Sequence, residues 1–207
     1  MTQPTKNGQL LYPESPSQTA GPYVHIGLAL EVAGLPPRDF EIGPEIATAE
    51  AAGEAIEIVG TVIDGNGDVV DDILVEAWQA DAEGLYQTDY RADRAFRGFG
   101  RTAPGEHDDG QWWLHTIKPG RVAHPSGAPM APHINLMLFA RGINIHLNTR
   151  VYFDDEAEAN AACPFLARVP AGRRATLIAT REHGGDTPRY RVAIHLQGPR
   201  ETVFFDF

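Results

Sequence analysis

The chain has 207 residues, 43% of them hydrophobic and 22% charged, which fits one globular domain with a sizeable core, or one domain with a long arm, rather than a disordered chain. Its formal net charge of −11 argues against nucleic acid or an anionic membrane as partner, although one local arginine is enough to hold a small anionic ligand. Cys163 is the only cysteine, so no internal disulfide forms, and no apolar run approaches a membrane span or a secretory leader core; the expected setting is a reducing, cytoplasmic one.

Residues 1–22 are rich in Pro, Ser, Thr, Gln and Gly and read as an extended arm that gains order by lying on another surface. HIGLALEVAGLP (25–36) is apolar enough to pack, and residues 37–54 read as a loop with one helical turn. The expected division is therefore an arm and packing segment over 1–54 and a β-domain over 55–207. AIEIVGTVI (55–63) is β-branched and runs into DGNG (64–67), a strong turn signal. VVDDILVEAWQAD (69–81) and WWLHTIKPG (112–120) continue the strands, the latter stopped by Pro119-Gly120. HINLMLFARG (133–142) and INIHLNTRVYF (143–153) follow, with a turn near Gly142. DDEAEANAACPFLARV (154–169), acidic in its first turn, is the one good helix candidate. ATLIATRE, RYRVAIHLQG and ETVFFDF close the chain as strands. The pattern predicts an all-β fold: an antiparallel β-sandwich core with long loops, an extended N-terminal arm and one short helix.

The most informative segment runs from Met130 to Phe153, and its key pattern is PHIN at 132–135. Side chains at i and i+2 of a strand share a face, a spacing at which two imidazoles bind one metal ion. Here the pair is His133 and Asn135, and a neutral amide oxygen is a poor donor to ferric iron. An unbroken strand over 133–141 would put His133, Asn135, Met137, Phe139 and Arg141 on that face, with Arg141 at the strand end beside the defective position. A guanidinium there grips a carboxylate through two parallel hydrogen bonds. Arg141 also fits a surface arginine ahead of the turn at Gly142.

SPSQTAGPYVHIGL (15–28), G-x-V-x-D-G-N-G (60–67), VEAWQADAEGLY (75–86), IKPG (117–120), APHINLMLFARGINIHL (131–147) and ETVFFDF occur together and in this order. On these motifs the chain resembles the intradiol ring-cleavage dioxygenases over nearly its whole length, and among them the α-type subunits of a heteromeric enzyme. Catalytic chains of that family hold ferric iron through two tyrosines and two histidines. The resemblance places those four positions at Tyr86, Val122, His133 and Asn135, so two ligands are missing and the set is vestigial. It implies no catalytic residue on this chain. It also implies Fe(III) bound by a β partner in a larger αβ assembly, and an aromatic acid opened by O2 on that partner. Thr19, Gly21, Pro22, Tyr23 and Arg141 are the residues the chain would lend to the substrate pocket.

Each of these residues has a plainer reading. Thr19 and Tyr23 also fit simple anchors of the arm. His133 reads as a core histidine bonded to a neighbouring carbonyl, and Tyr86 as a structural tyrosine with a hydrogen-bonded hydroxyl. Cys163 reads as packed and inert. Two other functions stay open: a non-enzymatic β-sandwich module that holds an aromatic acid through Arg141, and a self-sufficient metalloenzyme built on His133 with His146 or His124.

Overall fold

In a computed structural model, residues 5–6, 9–10, 15–21 and 23–206 are described. Pro22, one of the expected substrate-binding positions, lies outside them. Strands β1 (Thr5–Lys6) and β2 (Gln9–Leu10) form a short antiparallel pair. Helix α1 (Val24–Leu28) follows, a single turn that the apolar pattern had marked only as a packing segment.

The main sheet has eight strands: β3 (Ala55–Ile63), β4 (Leu74–Gln79), β5 (Phe99–Thr102), β6 (Gln111–Ile117), β7 (His133–Phe139), β8 (Leu147–Phe153), β9 (Ile178–Glu182) and β10 (Arg189–His195). Their spatial order is β5-β4-β7-β8-β9-β10-β3-β6, antiparallel except where β10 meets β3 and β8 meets β9. The two halves fold over a shared core that includes Ile56 and Ile58 of β3, Trp112 and Leu114 of β6, Ile134, Leu136 and Leu138 of β7, and Tyr190 and Val192 of β10. The all-β sandwich expected from the alternating pattern is the observed architecture.

The turn signals act as chemistry requires. In DGNG, Asp64 Oδ1 accepts the amide hydrogens of Asn66 and Asp68, and Gly67 takes a positive φ of 94°. Strand β6 ends at Ile117, immediately before Lys118-Pro119-Gly120. The expected helix over 154–169 is shorter and broken. A 3₁₀ turn (Asp154–Glu156) leads into α2 (Ala157–Ala162), and a second 3₁₀ turn (Leu166–Arg168) follows. The break falls at Cys163, which is extended (φ −70°, ψ 118°) because Pro164 disfavours a helical residue before it. Cys163 is buried in a second apolar cluster with Ala131, Tyr152 and Leu166, and this cluster covers the start of β7.

Gly60 sits opposite Trp112 in the β3–β6 ladder, and a Cβ there would lie 2.1 Å from the indole ring. Because Trp112 is fully buried, the ring has nowhere to retreat. Gly60→Ala is expected to cost about 2 kcal/mol by overpacking, measured as a shift in the urea midpoint at unchanged m-value.

Candidate functional site: a degenerate metal centre and a separate arginine turn

Strand register brings the site together. Asn135 of β7 pairs with Trp78 on β4 and with Arg150 on β8, and His133 pairs with Tyr152. Their side chains stand on the face of the sheet opposite to Ile134 and Leu136, as the period of two dictates. The remaining two positions come from loops. Asp81 closes the DAEGLY turn by accepting the amides of Glu83 and Leu85 on its carboxylate, while its own carbonyl accepts the Gly120 amide. At Gly84 (φ 83°) a Cβ would lie 2.0 Å from the Arg121 carbonyl oxygen, and at Gly120 one would lie 2.4 Å from the Ala82 carbonyl oxygen. The glycines thus let the two loops that carry Tyr86 and Val122 interlock.

The polar groups form one directional chain. His133 Nδ1 donates to the Ala131 carbonyl (2.8 Å), which leaves Nε2 as the acceptor for the Tyr86 hydroxyl (3.2 Å). Asn135 Nδ2 donates to the Tyr86 oxygen (2.9 Å) and to the Trp78 carbonyl (3.0 Å). Arg150 Nε donates to Asn135 Oδ1 (2.9 Å). The Trp78 ring leans on Tyr86 with centroids 4.3 Å apart. His133 is wholly buried, and burial, reinforced by the Arg150 charge, draws its pKa down to about 4, so the imidazole is neutral. Burial raises the Tyr86 phenol, with Asn135 and Arg150 opposing, so it stays protonated at neutral pH. The histidine bonded to a carbonyl and the hydrogen-bonded tyrosine are as the sequence suggested.

These residues do not fit a ferric ion. The Nε2 lone pair that would ligate is already taken by a phenol proton, Asn135 presents its amide nitrogen to Tyr86, and Val122 is a buried hydrocarbon. Among the described residues no three His, Cys, Asp or Glu side chains converge as a metal would need. His124 is engaged with Ser126 of its own turn (2.7 Å), and His146 is exposed.

Arg141 lies elsewhere. Strand β7 stops at Phe139, and Arg141 sits in the turn beyond, exposed, with its guanidinium on the Asp72 carboxylate. The strand is seven residues long, so its ends are roughly 20 Å apart. The expectation that Arg141 sits beside the defective metal position is thus corrected: the rise of an extended strand carries position 141 roughly 20 Å from Asn135, and β7 itself stops at Phe139. Thr19 belongs to the same spot. Its hydroxyl oxygen accepts the Gly142 amide hydrogen (2.7 Å) and lies 3.4 Å from the Ala140 carbonyl. Gly21 and Tyr23 are exposed just along the arm, Tyr23 at 76%. The structure therefore groups Thr19 with Arg141 and groups Tyr86, Val122, His133 and Asn135 apart from them. Sequence reasoning passed over Arg150, although the alternation of LNTRVYF places it on the face of Tyr152, and Asp72, for which there was no signal.

The family profile described as "Dioxygenase" matches residues 44–198. The chain is 59% identical over 198 residues to the protocatechuate 3,4-dioxygenase alpha chain of Pseudomonas putida, covering 95% of this chain and 98% of that one. It is 34% identical over 154 residues to the protocatechuate 3,4-dioxygenase beta chain of Burkholderia cepacia, covering 70% and 64%. Among solved structures, the dioxygenase domain of a carbohydrate-binding fusion from Streptomyces sp. SirexAA-E superposes with a TM-score of 0.57 at 21% identity, covering 96% and 97%, a likeness of fold. The chain belongs to the intradiol ring-cleaving dioxygenase family.

The neutral, buried His133 makes stability pH-dependent. Its folded pKa is depressed relative to the ordinary 6.5, so the unfolded state binds more protons and stability present at neutral pH is lost as pH falls from about 6.5 toward 4. At pH 5 that loss is about 2 kcal/mol. His133→Gln, uncharged throughout, is expected to flatten this part of the profile, read by urea unfolding at pH 7 and pH 5. An unchanged profile would contradict the assignment.

Proposed function

We propose that this chain is the non-iron-binding α subunit of a protocatechuate 3,4-dioxygenase, paired with an iron-bearing β subunit in a larger αβ assembly. The observation that carries this reading is the separation within the chain. The four positions of the family's iron site sit at one end of β7 with their donor atoms already spent, and the carboxylate-binding candidates Arg141 and Thr19 sit at the other. A guanidinium roughly 20 Å from its own degenerate centre serves a site completed by a second chain. The similarity to alpha chains along nearly their whole length supports the same reading.

On this reading the partner's Fe(III) supplies Lewis-acid and templating chemistry for the catechol oxygens. The reaction adds both atoms of O2 to protocatechuate and opens the ring between the hydroxyl-bearing carbons, giving 3-carboxy-cis,cis-muconate. This chain binds and orients. Arg141 takes the benzoate carboxylate through paired hydrogen bonds, giving up Asp72 for it, and the exposed Tyr23 with Thr19, Gly21 and Pro22 closes the pocket against water. Residues 1–54 act as arm and packing segment for the 55–207 domain. The apolar side chains exposed along that segment, Ile26, Val32, Leu35 and Phe40, supply surface for the pairing. The enzyme works in the cytoplasm.

The test is iron content and protocatechuate-dependent O2 uptake, for the chain alone and co-expressed with a β partner. Iron and activity are expected only in the co-expressed sample. In that sample Arg141→Ala is expected to raise KM for protocatechuate about tenfold or more, with little change for catechol, which lacks the carboxylate. Stoichiometric iron and turnover in the isolated chain would overturn the subunit reading. Binding of an aromatic acid with no turnover in either sample would favour a carrier module.

A further inference from the structure

Nothing so far explains Arg150. It stands on β8 as the cross-strand partner of Asn135, in the middle of the face where the family's metal ligands converge. Its side chain is held on several sides. Nε donates to Asn135 Oδ1 (2.9 Å), Nη1 points at Met130 Sδ (3.4 Å), and the guanidinium carbon lies 3.8 Å over the centre of the Phe165 ring. Met130 itself bridges to Val122, the position of the missing second tyrosine. The guanidinium therefore touches Asn135 directly and also Met130, whose backbone pairs with that of Val122. Its outer side borders a groove of about 430 Å³ shared with Trp78, Phe99, Met137 and His146.

We propose that Arg150 is the resident cation of the degenerate centre: its fixed guanidinium charge stands in for a metal ion and closes the site to one. The inference rests on reading this centre as a degenerate metal site. A ferric ion needs anionic phenolate and a free imidazole lone pair. Arg150 removes both. By donating to Asn135 Oδ1 it turns the amide so that Nδ2 faces the Tyr86 oxygen, and the phenol proton is then directed at His133 Nε2. Stacking on Phe165 stops the side chain from swinging out to solvent. Restoring the two lost ligands is then not enough to restore a metal site.

The experiment uses the full chain without its partner, so that only its own centre is counted. The double variant V122Y/N135H regains the four-ligand pattern with Arg150 in place. The triple variant V122Y/N135H/R150Q has the same pattern without the charge, and V122Y/N135H/R150K keeps the charge with a different shape. Each is incubated with ferric iron, desalted and read by metal analysis and by visible tyrosinate-to-iron absorption. The triple variant with Gln is expected to retain at least about tenfold more iron than the double variant and the Lys variant. Equal loading of the double and Gln variants would overturn the proposal. Loading of the Lys variant like the Gln variant would overturn the role of charge. Where the buried Val122 does not accept a tyrosine, N135H and N135H/R150Q titrated with Co(II) give the same comparison, and equal affinity again overturns it. Iron in the unmodified chain is a different result, which sinks the subunit reading instead.

Discussion

The in-register pairing of β4, β7 and β8 is the constraint from which the rest of the molecule follows. A period of two sends Ile134, Leu136 and Leu138 into the shared core and sends His133, Asn135 and Met137 to the other face. A slip of one residue would exchange these sets and cost the core its central strand. The degenerate centre therefore cannot drift while the core is intact. Loss of two metal ligands changes what the face can bind without changing where the face is. The face therefore keeps its place in the fold whatever its side chains are able to bind.

A centre that loses its metal must still satisfy the polar groups left behind. A buried imidazole, a phenol and an amide without partners would each be costly. Here they satisfy one another in sequence, from Arg150 through Asn135 and Tyr86 to His133 and the Ala131 carbonyl. Asn135 is well suited to the middle of this chain, because it offers an acceptor to Arg150 and donors to Tyr86 and the Trp78 carbonyl at once. A second imidazole could not do all three. An asparagine at position 135 thus suits a site that holds no metal.

Much of this was legible in the sequence, for local reasons. The DGNG and IKPG turns, the β-branched alternation and the HIN spacing each act within a few residues, whereas ETVFFDF, expected as a closing strand, makes only a single bridge among the described residues, from Phe205 to Asn148. The helix over 154–169 was read too long because its acidic start says nothing of where it ends, and Pro164, through its restriction on Cys163, ends it early. Arg141 was misplaced because a shared strand face is not proximity: the rise of the strand carries position 141 roughly 20 Å from Asn135, whether or not the chain turns at Gly142. Arg150 and Asp72 were missed because their roles depend on pairing across strands and between loops, which no single segment carries. The loop interlock at Gly84 and Gly120 belongs to the same class: two motifs that read as independent turns are one contact in space.

The pair at the other end of β7 shows how a surface arginine is held in one place. With a net charge of −11, a free guanidinium on this surface would be drawn to whichever carboxylate lay nearest, and Asp72 fills that place. Asp72 precedes β4 by two residues, and β4 and β7 are hydrogen-bonded neighbours up to Leu74 and Phe139. The carboxylate is thus fixed by the same strand pairing that ends beside Arg141. Such a pair is exposed and exchangeable, since a surface ion pair gains little over hydration. A ligand carboxylate that arrives with a second anchor, as a substrate held on a metal does, has only to displace Asp72 rather than to order a mobile side chain. The arm adds to this pre-organisation, because Thr19 grips Gly142 on one side of Arg141 and reaches Ala140 on the other. The position of the Arg141 charge is therefore built into the turn itself, by Asp72 on one side and the arm on the other.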